Sequence, residues 1–439
     1  MPADFALSAG GAPASKRVAV VGGGISGLAC AWLLSRSHHV TLFESETRLG
    51  GHTRTVDVCV DGRRFPVDTG FLVFNDRTYP NLCALFEHLG VRSVASDMSF
   101  SVRIDEASIE WSGATLASVF AQRRNLLNVE FWGMLKDILR FNRETSRLVD
   151  GGAHVSGTLA AFLDRGGFGR AFRDWYLLPM GAAIWSCPTA RMLDHPAATF
   201  LRFCRNHGLL QIDDRPRWRT VVGGGREYVR RLATALPDIR LGARVFGIER
   251  FSRHVTVESP CGREGFDDVV LATHADTTLR MLRDPSRDES ALLAAVGYQP
   301  NRAVLHMDRS FLPHRRDAWS AWNYHSGPSR ADGRPVSVTY LLNRLQPLPV
   351  ATPVLVTLNP IREPAPAAVL GECEFSHPVF DAHAIAAQGL LESIQGRRRT
   401  WYCGAWTGNG FHEDGLRSAI VVARALGVEV PWLRETAAA

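Results

Sequence analysis

Lysine is nearly absent from this 439-residue chain: of its 50 basic side chains only Lys16 and Lys136 are lysines, and the rest are arginines. Paired cysteines are missing too. The eight cysteines (Cys30, Cys59, Cys83, Cys187, Cys204, Cys261, Cys373, Cys403) include no C-x-x-C pair. That scatter fits neither a zinc site nor a disulfide framework and leaves buried free thiols in, by default, a cytoplasmic protein. No apolar run approaches the ~20 residues that cross a bilayer. No long Lys/Arg run accompanies the net charge of +6. Nucleic acid is therefore not implied as a partner, while an anionic substrate or an anionic membrane surface stays open. Residues 1–16 lack a basic start followed by an apolar stretch, which argues against a secretory signal and for a disordered leader. What remains, 46% hydrophobic and 21% charged residues, is the make-up of a soluble globular protein long enough for two domains.

What is present begins at Val18. VAVV (18–21) is a β-branched run of the kind buried on both faces of a parallel sheet. It leads into Gly22-Gly23-Gly24-Ile25-Ser26-Gly27, with G-x-G-x-x-G spacing at Gly22, Gly24 and Gly27, and Leu28–Ser35 then reads as a helix. Gly22 permits the tight turn, Gly24 lets the backbone approach a pyrophosphate, and Gly27 lets the helix pack closely on the strand. The helix start, at Ile25 and Ser26, offers N–H groups and a partial positive charge to phosphates. A second strand, VTLF (40–43), ends at Glu44. There a carboxylate can take both hydroxyls of an adenosine ribose, and it would repel a 2′-phosphate. A glycine fingerprint alone is weak. Strand, glycines, helix, second strand and acid together point to FAD or NAD and away from NADP.

The chain continues Ser45-Glu46-Thr47-Arg48-Leu49-Gly50-Gly51-His52-Thr53. This segment resembles the E-x-x-x-R-x-G-G-[RH] stretch of flavin-dependent amine oxidases and phytoene-desaturase-like enzymes. The resemblance implies that Ser45, Arg48, Gly50, Gly51, His52 and Thr53 wrap the diphosphate of FAD. An arginine fork and bare backbone amides suit such a doubly charged group. NAD dehydrogenases do not need the segment, which favours FAD. No cysteine sits in an attachment motif, so the FAD is expected to be non-covalent.

Further on, TVDVCVDGRRFPVD (55–68) reads as a hairpin. In similar flavoproteins the small-residue loop that follows passes close to the isoalloxazine. This would make Thr69 and Gly70 cofactor contacts and put Phe71 on the substrate side; an ordinary strand-end turn is the competing reading. Residues 80–90 look helical, 98–111 like short strands, and 116–148 like one long helical region with arginines along one side. Two readings of that region stand. It is a helix of an inserted substrate domain with a solvated basic face, or an interfacial helix that docks on anionic lipid through Trp132 and the arginines. AFRDWYLLPMGAAIWSCP (171–188) is dense in aromatic and small residues and reads as core, with Met180 and Trp185 as candidates to line an apolar substrate cavity. A second glycine cluster, Gly223–Gly225, has Tyr228 where the third fingerprint glycine would stand, which denies it a dinucleotide role. It resembles the turn that returns an amine-oxidase chain to its FAD domain, with Val245 then giving a backbone contact to adenine. Segments 301–313, 318–326 and 336–346 alternate like an antiparallel sheet, and 359–380 is Pro-rich and loop-like.

The chain closes with TWYC (400–403), Gly404, and a helix opened by Asp414-Gly415-Leu416. This resembles the C-terminal FAD motif of the same superfamily, in which Gly404 marks the loop and the amides of Gly415 and Leu416 face the flavin N1–C2=O edge. A helix N-terminus stabilises the negative charge of reduced flavin.

The resemblance implies an α/β protein: a discontinuous Rossmann-like FAD-binding domain (17–78, 217–290, 396–430) with an inserted α+β substrate domain (79–216, 291–395) carrying the antiparallel sheet, and a tail at 431–439. It also resembles a bacterial group of FAD-dependent oxidoreductases that accompany cyclopropane-fatty-acid synthases, which implies a fatty-acyl or phospholipid-acyl substrate. Amine oxidases often use paired aromatics and a lysine reaching a water near flavin N5. No such lysine stands out here, which puts amine oxidation in doubt, and Phe411 and Trp406 are the aromatic candidates. The expected activity is hydride abstraction from a C–H bond of an apolar substrate held by Phe71, Trp185, Trp322, Tyr324 and Phe411. His412 or Glu413 is the candidate base, and oxygen or a quinone-linked carrier the electron acceptor. Double-bond isomerisation, amine oxidation and a non-catalytic FAD-stabilised lipid-binding or partner-binding role are the alternatives. The protein is expected in the cytoplasm, with the inner membrane face open to it.

Overall fold

The computed structural model describes residues 15–185, 189–209, 215–327 and 336–435. Most of the leader read at 1–16, and Cys187, lie outside them. The chain divides into two compact units, one made of Met1–Gly51, Val229–Leu293 and Leu391–Ala439, the other of His52–Tyr228 and Ala294–Leu390.

The first unit is built on a parallel sheet of five strands in the order Asp238–Arg240, His39–Phe43, Arg17–Val21, Asp268–Leu271, Thr400–Tyr402. The central strand buries all of Val18–Val21, as a strand covered on both faces must. Every residue of the helix Ile25–Leu34 is buried, which explains why ISGLACAWLL is apolar all round rather than on one stripe. The closing helix, His412–Ala425, packs along it. Of the tail expected at 431–439, the described part, Pro431–Glu435, is a short helix: Trp432 is buried and stacks on Trp32 with centroids 6.0 Å apart.

The second unit centres on a seven-stranded sheet, in the order Val369–Val379, Gly297–His306, Leu355–Leu358, Val336–Leu341, Trp322–Ser326, Phe100–Ile104, Ile109–Ser112. Its pairs are antiparallel except that Trp322–Ser326 runs parallel to Phe100–Ile104. The loop expected at 359–380 is thus partly an eleven-residue edge strand. An edge position tolerates Pro378, because a proline there need not donate to a ladder. The hairpin Thr55–Asp68 belongs here too, since Val58, Val60, Phe65 and Val67 share one core with Val338, Tyr340 and Val356. The first segment of the first unit therefore ends at Gly51 rather than at the expected 78.

The long helical region expected at 116–148 is broken. A short helix Leu116–Val119 and a 3-10 turn Arg123–Leu127 precede the basic helix Val129–Asp150. Thr115 and Asn128 each cap a helix with their side chains, and a cap stops the helix before it from running through. The thiols are not all buried either: Cys30, Cys204 and Cys403 are, but Cys59 and Cys261 are exposed, and the seven among the described residues form no disulfide with one another.

Candidate active site

In the first unit, separated segments meet around the N-termini of two helices. Gly22 has φ +109°, and a Cβ there would stand 2.7 Å from the carbonyl oxygen of Ala272. At Gly27 a Cβ would fall 1.7 Å from the Gly22 carbonyl oxygen. The protein's own packing thus requires both glycines. Gly24 is different: nothing lies within 4 Å of its Cβ position. Open space over that one glycine, at the mouth of a helix N-terminus, is what a pyrophosphate needs. Ile25 and Ser26, both buried, complete the helix start.

Glu44 is nearly buried and fixed from three sides. Its carboxylate accepts from Gly23 N at 2.6 Å, Glu46 N at 2.8 Å and Ser45 Oγ at 3.1 Å. The segment after it folds back on the fingerprint. Gly50 N donates to Gly23 O at 2.8 Å, Arg48 Nη2 to Gly51 O at 3.0 Å, and a Cβ on Gly51 would come within 3.1 Å of Gly24 Cα. Ala243 N donates to Glu44 O and Gly242 N to Glu46 O, which brings the buried Val245 segment to the same edge. Gly404, at φ +157°, starts the loop that leads to the closing helix, and its N–H donates to Ser418 Oγ at 2.9 Å.

The closing helix needs a correction. Gly415 N donates to Phe411 O at 3.1 Å, so neither Gly415 nor Leu416 opens the helix, which starts at His412 with Phe411 as its cap residue. Amides without an intrahelical acceptor belong to the first turn, His412–Asp414. Gly415 instead serves packing: a Cβ there would lie 2.7 Å from Ser26 Oγ and 3.0 Å from Ile25 Cγ2. Its bareness lets the two helix starts converge. Trp406 is buried and donates to Thr273 O at 3.2 Å, which makes it a support of the loop and not an aromatic wall; Phe411 remains half-buried.

Burial pushes the His412 imidazole down to about 3, so it is neutral above about pH 4 and a feeble base, since an efficient one has a pKa near the working pH. A pH–kcat profile should accordingly keep its shape in H412Q; loss of an inflection near the ordinary histidine range would restore His412 as the base. Glu413 and Asp414 beside it are buried, and burial raises Asp414.

In the second unit, His52 lies against Phe375 and His377, with ring centroids 5.1 and 5.3 Å away, and Thr53 Oγ1 pairs with the buried Tyr228 hydroxyl. Thr69 donates to Arg54 O through both its amide and its hydroxyl. A Cβ on Gly70 would meet His52 O at 2.0 Å, while Phe71 N donates to that same oxygen at 3.0 Å and the Phe71 ring stands edge-on to Tyr228. The loop's small residues are thus explained by its own close approach to residue 52.

Sequence reading missed the buried carboxylate of Asp68 below this loop. It accepts from Thr55 Oγ1 at 2.6 Å, Gln346 Nε2 at 2.8 Å and Gly225 N at 3.0 Å, and a Cβ on Gly224 would crowd it at 2.9 Å. That is the purpose of the second glycine cluster. Burial raises Asp68 from 3.8 to about 6. Because the folded value exceeds the unfolded one, the protonated form supports the fold below about pH 4, and this support is lost as pH rises through about 6. The stability of wild type relative to D68N should fall by up to about 3 kcal/mol across that window, read from urea midpoints; a flat difference would show Asp68 to be ionised throughout.

The helix Leu178–Trp185 lies against the strands Trp322–Ser326 and Val336–Leu341. Met180 is buried, whereas Trp185 packs among His195, Phe200 and Phe203, the nearest centroid 4.5 Å away. Trp322 is edge-on to Tyr340 at 4.9 Å, and its indole Nε1 is buried with no hydrogen-bond partner among the described residues. Tyr324 is only 2% exposed. Immediately before the helix, Arg173–Leu177 forms a π turn, a feature frequent at functional sites and invisible to helical periodicity. No cluster of potential metal ligands occurs among the described residues.

A sequence profile of flavin containing amine oxidoreductases matches residues 25–357, three quarters of the chain, and the chain belongs to that family. It is an FAD-dependent oxidoreductase with the α/β fold of the family, a fold in which non-covalent FAD is typical. A carotenoid phi-ring synthase of Streptomyces griseus is 39% identical over 123 residues, which make up 28% of this chain but 22% of the synthase. The cyclohexylamine oxidase of Brevibacterium oxydans superposes with a TM-score of 0.64 at 16% identity, covering 94% of this chain and all of that one. The fatty acid isomerase of P. acnes that produces CLA superposes at 0.65 and 16%, covering 93% and 98%.

Proposed function

We propose that the enzyme oxidises a C–H bond of a long apolar substrate, a fatty-acyl or phospholipid-acyl chain, as a desaturase does. When bound, FAD supplies the hydride acceptor of the reaction. The glycine loop and Glu44 bind and orient the dinucleotide, and the start of the closing helix stabilises negative charge on its ring system. Glu413 is the remaining candidate to take the accompanying proton. On the substrate side, the second unit offers apolar surface from the helix Leu178–Trp185, Phe71 and Trp322, with Tyr324 buried behind, and the unpartnered Trp322 indole is a donor for an acyl carbonyl; Phe411 is the aromatic candidate of the first unit. Oxygen or a quinone-linked carrier then reoxidises the enzyme.

The observation that carries this reading is the placement of the two lysines. Lys16 is bound to Asp268 at 2.9 Å, just before the first strand. That is the opposite edge of the parallel sheet from the one that takes ligands. Lys136 is exposed on the basic helix. The lysine that amine oxidases place near the flavin thus has only two candidates, one paired at the far end of the FAD-binding sheet and one on a helix surface of the other unit. The likenesses to a fatty acid isomerase and a carotenoid synthase support an apolar substrate.

The test is anaerobic absorbance of the yellow protein mixed with fatty acids, phospholipids and amines. Acyl substrates should bleach the flavin band and amines should not; bleaching by an amine, with ammonia released on aeration, would overturn the reading. The isomerase likeness favours one variant at the same site, in which the hydride returns to another carbon of the chain. In that case product forms with no oxygen uptake.

A further inference from the structure

We propose that the second unit carries a membrane-docking tip just ahead of the basic helix, and that its partner is an anionic lipid bilayer. Leu116, Leu126, Leu127, Val129 and Trp132 are 81%, 48%, 91%, 84% and 49% exposed. Large apolar side chains in one short stretch are not the scattered surface residues of an ordinary protein.

The fold holds this tip out. The Asn128 side chain caps the basic helix by accepting from Glu130 N at 3.0 Å and Phe131 N at 3.2 Å. Trp132 Nε1 donates to Leu126 O at 2.9 Å, and the ring leans on Phe120 at 5.3 Å. Phe131 is fully buried beneath. It is edge-on to Trp111 at 6.1 Å, and Trp111 in turn touches Tyr176 of the π turn, at 6.1 Å. The tip therefore shares an aromatic core with the approach to the helix Leu178–Trp185. With its backbone pinned at both ends, the turn 126–129 cannot fold Leu127 and Val129 back.

Charge selects the occupant. Arg123 and Arg124 are exposed in the same turn and Lys136 two turns along; the exposed acids nearby are Glu130 and, on the turn whose Ser108 carbonyl accepts from Arg124, Glu106 and Asp105, the last of them bonded to Arg103 and His325. An apolar wedge with a cationic collar suits a bilayer: the leucines and valine enter the acyl boundary, tryptophan sits at the interface, and the cations meet lipid phosphates. Along the helix itself Arg143 and Arg147 are exposed, whereas Arg140 is engaged within the unit. Arg140 is bonded to Asp137 at 3.0 Å and to the Gly166 carbonyl, and lies over Phe168 at 4.0 Å. The most exposed apolar side chains stand at the tip, so docking begins there, with Arg143 and Arg147 further along the helix. Docking does not depend on which substrate is oxidised.

The experiment is co-sedimentation of the full-length holoprotein with vesicles of phosphatidylcholine, with and without phosphatidylglycerol. Wild type should bind the anionic vesicles, and salt should weaken it. L127E/V129E should bind about 100-fold more weakly and R123E/R124E at least tenfold more weakly, with FAD content and thermal midpoint unchanged. Should L127E/V129E lose FAD, L127S gives the same comparison with a milder change. Failure of wild type to bind either vesicle, or wild-type affinity in L127E/V129E, would overturn the proposal. So would a wild-type dimer in sedimentation velocity that becomes monomeric in L127E/V129E without any vesicle binding, since the tip would then join two copies of this chain.

Discussion

Gly27→Val is expected to yield protein without FAD. A Cβ at residue 27 would lie 1.7 Å from the Gly22 carbonyl oxygen and 3.1 Å from the Ala272 Cβ. The first neighbour is backbone and cannot step aside as a flexible side chain would. The helix Ile25–Leu34 must then move off the central strand or the turn at Gly22 must open, and either displaces the helix N-terminus from the phosphates it faces. Overpacking of this kind costs about 1–3 kcal/mol in ordinary cores and more against backbone. The readout is absorbance of the purified variant. Colourless protein that takes up no FAD on soaking is the expected result, and a yellow variant with wild-type affinity would show that the contact is relieved. G24A, with open space at its Cβ position, should fold normally yet bind FAD less tightly, which separates a packing glycine from one that leaves room for a ligand.

Glu44→Ala should weaken FAD binding by about 10–100-fold, through two effects that add. The carboxylate holds the Gly23 and Glu46 amides at 2.6 and 2.8 Å, and removing it leaves the Gly23 N–H in a site with little water, a loss of about 1–3 kcal/mol. It also removes the acceptor for the adenosine ribose. E44Q keeps one acceptor oxygen and should fall between the two. Equilibrium dialysis of apoprotein with FAD measures this; equal affinity in E44A would detach Glu44 from the cofactor.

Much of the first unit was legible in the sequence because it is locally determined. A fully apolar strand, three spaced glycines, a wholly buried helix and an acid at the end of the next strand each announce themselves within 30 residues of one another. The closing helix was legible as an element but not in its details. Gly415 looks like an amide donor until the structure puts Ser26 beside it, a contact between the ends of the chain that no spacing encodes. The hairpin Thr55–Asp68 was legible as a hairpin, yet alternation does not say which sheet it packs on. The contacts of Val58, Phe65 and Val67 with the seven-stranded sheet do. Asp68 was unreadable for the same reason, since its partner Gln346 lies 278 residues away. The break ahead of the basic helix was missed because apolar spacing continued across it. The two capping side chains, Thr115 and Asn128, were the available signal.

The account stands on the claim that three separated segments, around Gly24, Ala243 and His412, build one site for FAD. The direct measurement is the amount of flavin released when the purified, folded protein is denatured. One FAD per chain, lost together with the yellow colour and rebound on refolding, is the predicted result. A folded, colourless protein that releases no flavin and takes none up would contradict it.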